Sequence, residues 1–253
     1  MTEGYVKTLQ KGHLAYIEFF HPDQNSLPAA ILSQLATSIT EAGMHAETKI
    51  IILQSGGDRT FCAGASFKEL IQINDAESGK KFFSGFAHVI NAMRKCPKII
   101  VGRVQGKAVG GGVGLAAATD YCFASQHAAI KLSELNVGIG PFVVSPAIER
   151  KMGLSATSQI AFDANTFYPA DWALQKGLYT QLTESTEALD TAVEQFALHL
   201  CTYNPEALSE IKKIFWRGTD DWDTLLLERA AISGRLVLSD FTKNTLEKFK
   251  TKV

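Results

Sequence analysis

The sequence holds no apolar run approaching the roughly eighteen residues that span a bilayer, so a membrane helix is not expected. Its N-terminal stretch, Met1 to Gln10, has neither a continuous apolar segment nor a small-residue cleavage site, so a secretory leader is not expected either. Charge of one sign is lacking too. Lysine and arginine number 25 against 26 aspartates and glutamates, a formal net charge of −1, and no overall field draws the chain to nucleic acid or an anionic membrane. Cysteine is sparse: Cys62, Cys96, Cys122 and Cys201 are scattered and form no CxxC pair. That speaks against a disulfide framework and against a zinc site, and a reducing, cytoplasmic setting is the expectation. The cysteines, Cys62 included, read as small core residues. No paired His, Asp or Glu spacing suggests a metal; His88 reads as a helix-face residue and His127 as a loop residue. Flexible linkers and low-complexity segments are missing, so no freely hinged domain is expected.

What is present is an ordinary globular composition. Of 253 residues, 46% are hydrophobic and 20% charged, enough to bury a sizeable core. Leu14–Phe20 alternates in part and runs into the turn His21-Pro22-Asp23. Ile31, Leu32, Leu35 and Ile39 recur at helical spacing within Pro28–Met44. The apolar strand Lys49–Leu53 leads to a turn at Ser55-Gly56-Gly57-Asp58. A second such unit joins a helix over Phe82–Met93 to a strand over Ile99–Val104, and Tyr121–Ala124 and Ala129–Leu132 read as further strands. This succession fits a doubly wound sheet or a spiral of ββα turns, and periodicity does not separate the two. From Leu189 onward the pattern is helical, through Ala192, Val193, Phe196, Ala197 and Leu200, then Ala207, Ile211, Ile214 and Phe215, then Leu225–Leu238, closing with Phe241–Phe249.

Two small-residue segments stand out. Phe61-Cys62-Ala63-Gly64-Ala65-Ser66 follows the strand at Lys49–Leu53, and Gly110-Gly111-Gly112-Val113-Gly114 follows the strand at Ile99–Val104. Small residues between a strand and a helix leave backbone N–H groups uncovered. Two such segments meeting would supply the convergent donors of an oxyanion hole; taken singly, each is also what a tight turn or close packing looks like. Gly112-Val113-Gly114-Leu115-Ala116-Ala117 matches the dinucleotide fingerprint, with Glu134 twenty residues beyond Gly114. The helix it needs is cut short at Thr119-Asp120, and Glu134 follows a second strand, so that alternative fits badly. A Walker-type loop fails, since no Gly-Lys-Ser/Thr follows.

These residues resemble the enoyl-CoA hydratase/isomerase (crotonase) superfamily. Phe61 to Leu70 is similar to its F-x-A-G-A-D-x-x-E segment, and Val104 to Gly112 to its V-x-G-x-A-x-G-G-G segment. Lys131 to Ile139 resembles its P-E-x-x-x-G-I/L stretch, and Tyr168-Pro169-Ala170 with Ala173 and Gly177-Leu178 a later block. The resemblance covers nearly the whole chain, in order. It implies an α/β fold: a spiral of ββα repeats over residues 1–195 and a helical trimerisation region over 196–253, assembled as a trimer or dimer of trimers. It implies an acyl-CoA substrate, with coenzyme A entering as part of that substrate and no separate cofactor. The oxyanion donors carry over to the N–H groups of Ala65 and Gly111, and the catalytic acid/base to Glu134. Ala63, Gly64, Ser66, Gly110, Gly112, Gly114 and Phe142 are the expected substrate contacts.

The departures from the family pattern bear on the reaction. Family hydratases carry a first glutamate where this chain has Gly114, and a second where it has Glu134. Hydration uses one group to activate water and another to deliver a proton; moving a double bond needs one base that removes and returns a proton. One glutamate thus favours isomerisation, as does Val137-Gly138-Ile139-Gly140-Pro141-Phe142, which resembles the family's isomerases. A single-base hydratase, another acyl-CoA hydrolase or decarboxylase, and a silent acyl-CoA-binding scaffold are the alternatives. Ser66 replaces the usual Asp, Ser133 is a candidate to orient Glu134, and Asp23-Gln24 lies where a basic residue often meets the CoA phosphates. Lys68, Lys248 and Lys250 are candidate phosphate contacts, and Asp220-Asp221 reads as a solvated loop or helix cap.

Overall fold

The computed structural model describes residues 3–250, and of residues 249 and 250 the backbone only. In chain order it opens with β1 (Tyr5–Lys11), β2 (Leu14–Phe20), β3 (Ser26–Leu27) and α1 (Ala29–Met44). Next come β4 (Ile50–Ser55), β5 (Thr60–Cys62), β6 (Gly64–Ala65), α2 (Phe67–Leu70) and α3 (Ala76–Lys95). A further turn is β7 (Ile99–Val104), β8 (Lys107–Val109) and α4 (Gly111–Ala118). Another is β9 (Tyr121–Ser125), β10 (Ala129–Lys131), a 3₁₀ turn over Glu134–Val137 and α5 (Ser145–Phe162). After β11 (Tyr168–Pro169), α6 (Ala170–Gln175) and β12 (Gln181–Thr183), the rest is helical: α7 (Thr186–Leu200), α8 (Pro205–Phe215), α9 (Trp222–Leu236) and α10 (Asp240–Lys250).

The pairing of these strands decides between the two topologies left open by periodicity. One sheet has the order β1-β2-β4-β7-β9-β12, and another the order β11-β10-β8-β5. Within the coils β4/β5, β7/β8 and β9/β10 the two strands therefore go to different sheets, and helices carry the chain from one coil to the next. That is a spiral of ββα turns. Pairing is parallel except for β1 with β2 and β10 with β11. The middle strands are apolar without alternation because both faces are covered: Ile50, Ile51, Ile52 and Leu53 are all fully buried. One face of this sheet meets α7 through Leu189, Val193, Ala197 and Leu200. The expected division between residues 195 and 196 thus falls inside a helix that packs on the sheet. No described helix is long and apolar enough to cross a membrane.

Asp120 ties the helical tail to the coils. Its carboxylate accepts from the Ile100 N–H (2.8 Å), the Trp216 indole N–H (2.9 Å) and the Lys212 ammonium (2.8 Å). The Lys212 ammonium also donates to the Lys98 carbonyl at 2.8 Å, so a nearly sealed charge is both paired and hydrogen-bonded. Farther along, α9 lies against α3 at a crossing of Gly79 and Gly234, where a Cβ on Gly79 would stand 2.7 Å from the Gly234 Cα. The outer face of α8 leaves Ile211, Ile214 and Phe215 exposed.

Candidate active site

The two small-residue segments meet. β6 pairs with β3, Leu27 opposite Ala65, and Gly64 sits at φ +91°, where a Cβ would be 3.2 Å from the Val109 carbonyl oxygen and 3.7 Å from the Gly111 nitrogen. Gly110 turns the chain at φ +53°, a left-handed conformation that glycine takes without strain. Gly111 is then the first residue of α4, and a first-turn N–H has no partner inside its helix. Phe86 of α3 presses its ring on Gly111 so closely that a Cβ there would overlap it. Ala65 and Gly111 both line a cavity of about 560 Å³.

Glu134 reaches the same cavity from the next coil. The Gly110 N–H donates to the Lys131 carbonyl at 2.8 Å, which holds the end of β10 against the turn into α4. Three residues on, the Glu134 carboxylate lies over Gly110: a Cβ on that glycine would be 2.9 Å from Oε1. The 3₁₀ turn bearing Glu134 is fixed from two sides. The Asn136 amide donates to the Ala164 carbonyl at 2.8 Å, and the Thr242 hydroxyl to the Gly138 carbonyl at 3.2 Å. Glu134 is half-buried as a residue, yet its Oε2 is sealed from solvent and has no hydrogen-bond partner among the described residues. Burial pushes its pKa from the usual 4.5 up to about 7, against the smaller opposing pull of the Glu134 and Ser133 backbone N–H groups.

The position of the missing companion carboxylate is closed. Gly114 is buried in α4, and a Cβ there would stand 2.6 Å from Val144 Cγ1 and 2.7 Å from Val144 Cβ. Val144 itself lines the cavity, so its apolar side chain stands between Gly114 and that space.

Of the expected contacts, Ala63, Gly64, Gly110 and Phe142 line the cavity. Ser66, Gly112 and Gly114, expected as contacts as well, are not among its lining residues. Ser66 is buried and caps α2, its hydroxyl accepting from the Glu69 N–H at 3.3 Å. Gly112 admits the Cys62 backbone, a Cβ there being 2.5 Å from the Cys62 carbonyl oxygen. Cys62 is fully buried, and burial pushes its thiol up to about 12, which suits packing rather than nucleophilic use. Ser133 lines the cavity beside Glu134. Lys68 stands at the rim in an ion pair with Asp23 (2.7 Å); Lys248 is not a lining residue, and the Lys250 side chain lies outside the described residues. His88, His127, Asp220 and Asp221 are exposed.

The sequence pattern misses most of the apolar wall. Phe82, Phe83 and Phe86 come from α3, Val143 and Val144 from the turn that leads into α5, and the polar Ser233 from α9. Phe82 and Phe86 share a helix face, a signal of burial that says nothing about what is buried against it. Ser233 reaches the cavity only through the α3–α9 crossing, which leaves no local trace.

The sequence model of the family described as enoyl-CoA hydratase/isomerase matches residues 10–248. The chain is 28% identical over 246 residues to a short-chain-enoyl-CoA hydratase of Clostridium acetobutylicum, covering 96% of this chain and 93% of that enzyme. It is 23% identical over 230 residues to the mitochondrial Delta(3,5)-Delta(2,4)-dienoyl-CoA isomerase of Mus musculus, covering 85% and 70% of the two chains. In fold it is similar to the crystal structure of an enoyl-CoA hydratase from Bacillus halodurans, with a TM-score of 0.88 at 22% identity over 96% of this chain and 99% of that one.

Proposed function

Because this chain belongs to the enoyl-CoA hydratase/isomerase family, we propose that it moves a double bond in an enoyl-CoA thioester, with Glu134 as the only acid/base. In this reading the N–H groups of Ala65 and Gly111 hold the thioester oxygen. The Glu134 carboxylate removes an α-proton from a 3-enoyl-CoA, the electron pair delocalises toward the thioester oxygen, and the same carboxyl returns the proton at the γ-carbon. The product is the 2-enoyl-CoA, and no water is consumed. Each backbone donor is typically worth ~3–4 kcal/mol of transition-state stabilisation. A carboxyl that titrates near 7 suits a group that must both take and give a proton at neutral pH.

The observation that carries the proposal is the crowding of Gly114 by Val144, which leaves no room for a side chain at the position where the family pattern has the hydratases' first glutamate. A single-base hydratase is the second reading, favoured by the similarity to the Clostridium hydratase. Incubation with 3-enoyl-CoA and 2-enoyl-CoA in deuterated water separates them. Bond migration with deuterium entering at the α- or γ-carbon supports the isomerase; hydration of 2-enoyl-CoA without migration overturns it. Coenzyme A enters as part of the substrate, with no further cofactor in the scheme. Assembly as a trimer or a dimer of trimers fits the exposed Ile211, Ile214 and Phe215 on α8, and light scattering on the eluted protein tests it.

A further inference from the structure

Resting on the enoyl-CoA reading, we infer that the closed end of the cavity is a subsite for an oxygen function at the far end of the acyl chain, with Ser233 as its hydrogen-bond donor. The open end is marked by Lys68 and Asp23, whose side chains are 76% and 44% exposed. The closed end is set by the α3–α9 crossing. Gly79 and Gly234 touch backbone to backbone, and that contact carries the preceding residue of α9 to the cavity wall. Ser233 is 1% exposed yet lines the cavity. No hydrogen bond of its hydroxyl is seen among the described residues: unlike Ser84, which bonds the Lys80 carbonyl one turn earlier, it leaves the Arg229 carbonyl alone and opens to the cavity.

The surroundings make that hydroxyl costly to cover without a partner. Leu70, Phe82, Phe83 and Ile139 line the same cavity, and the Ser233 oxygen is open to that space rather than sealed. An acyl chain ending in a methyl group excludes solvent from the hydroxyl and leaves it unpaired, which is destabilising; one ending in an oxygen acceptor satisfies it. Its place along the cavity fits the end of the chain, not the reacting carbons. The ring of Phe86 abuts Gly111, and Gly79 lies two helical turns back along α3, which is about 10 Å at the α-helical rise. Charge at this end has the matching sign. Arg229 shares a face of α9 with Ser233, donates to the Phe142 carbonyl (3.4 Å) and the Ser145 hydroxyl (3.2 Å), and joins no ion pair among the described residues. Its uncompensated guanidinium stands behind the wall at Phe142 and favours a negatively polarised oxygen.

Calorimetric binding to the full chain tests the inference, using saturated acyl-CoA thioesters of matched medium length that end in methyl, hydroxyl or carboxylate. The oxygen-ended thioesters are expected to bind about tenfold more tightly than the methyl-ended one. In Ser233→Ala that gap collapses, with the loss falling on the oxygen-ended ligands. A gain shared equally by hydroxyl and carboxylate assigns it to the Ser233 hydrogen bond; a larger, salt-sensitive gain for carboxylate adds the field of Arg229. Equal binding of all three by the wild-type protein overturns the inference, as does an equal loss of all three in Ser233→Ala. Should that variant fail to fold, the wild-type comparison decides alone. If methyl-ended thioesters bind and 3-enoyl-CoA is turned over with no end-group preference, this subsite fails and the enoyl-CoA reading stands. If no thioester binds, both fall.

Discussion

Replacing Glu134 with glutamine keeps the shape of the side chain and removes its charge. Burial raises the carboxyl from 4.5 to about 7 in the folded protein, its Oε2 being shut away from water with no partner among the described residues. A difference of that size corresponds to about 3 kcal/mol spent on keeping the ionised carboxylate buried. The sign follows from which state holds the proton. The folded protein holds it up to a higher pH, so this group's contribution to stability is full below the unfolded value and is lost as pH rises through the folded value. Wild type and Glu134→Gln should therefore unfold alike in urea at about pH 4, and the variant should gain up to about 3 kcal/mol by about pH 8. Over the same series isomerase turnover should fall by roughly 10²–10⁴-fold, the usual worth of a positioned acid/base. Parallel stability profiles for the two proteins from pH 4 to 8 would refute the buried, proton-holding carboxylate. Full turnover by the variant would refute its catalytic role even if the stability gain appeared.

Other expectations follow from the same contacts. In the wild-type protein, kcat/KM for 3-enoyl-CoA should rise with pH through an apparent pKa of about 7, the value for Glu134, and a flat profile across that range would argue for another base. Gly111→Ala drives a Cβ into the Phe86 ring; thermal unfolding should show a loss of stability, and turnover should fall by about 10²-fold or more as the donor is displaced. Gly114→Glu should destabilise the protein by at least ~1–3 kcal/mol through overpacking against Val144 and bring no hydration activity. Adding Val144→Ala should restore part of that stability in chemical denaturation.

Much of the spiral was legible because its strands are buried on both faces. Leu14–Phe20 and Ile99–Val104 stand in the structure with the bounds the apolar runs suggest. β1 was not legible: it is an edge strand carrying Lys7 and Lys11 in a mostly exposed run, and such edges carry little apolar signal. Nor was the first part of α3, where Glu77, Ser78, Lys80 and Lys81 conceal a helix that Asp75 caps by accepting from two backbone N–H groups. The helical signal over Ser145–Phe162 is broken at Gly153, whose φ of 75° interrupts it. For the site, the two small-residue segments and Glu134 stand in order along the chain and meet in space. The plug at Val144 and the hydroxyl of Ser233 come from elements distant in sequence, and only the packing of α5 and α9 brings them in.

The dependence of α3 on α9 has a consequence for how the chain is made. Phe82, Phe83 and Phe86 leave the ribosome with α3, and the helix that covers their crossing at Gly79 follows only after α4 to α8. Until then a nascent spiral carries an uncovered aromatic stripe beside an unfinished pocket, the kind of surface on which chaperones act and aggregates begin. The glycine pair lets α9 settle on that stripe at close range once it emerges, so closing the pocket and ending the chain's exposure to misfolding are one event.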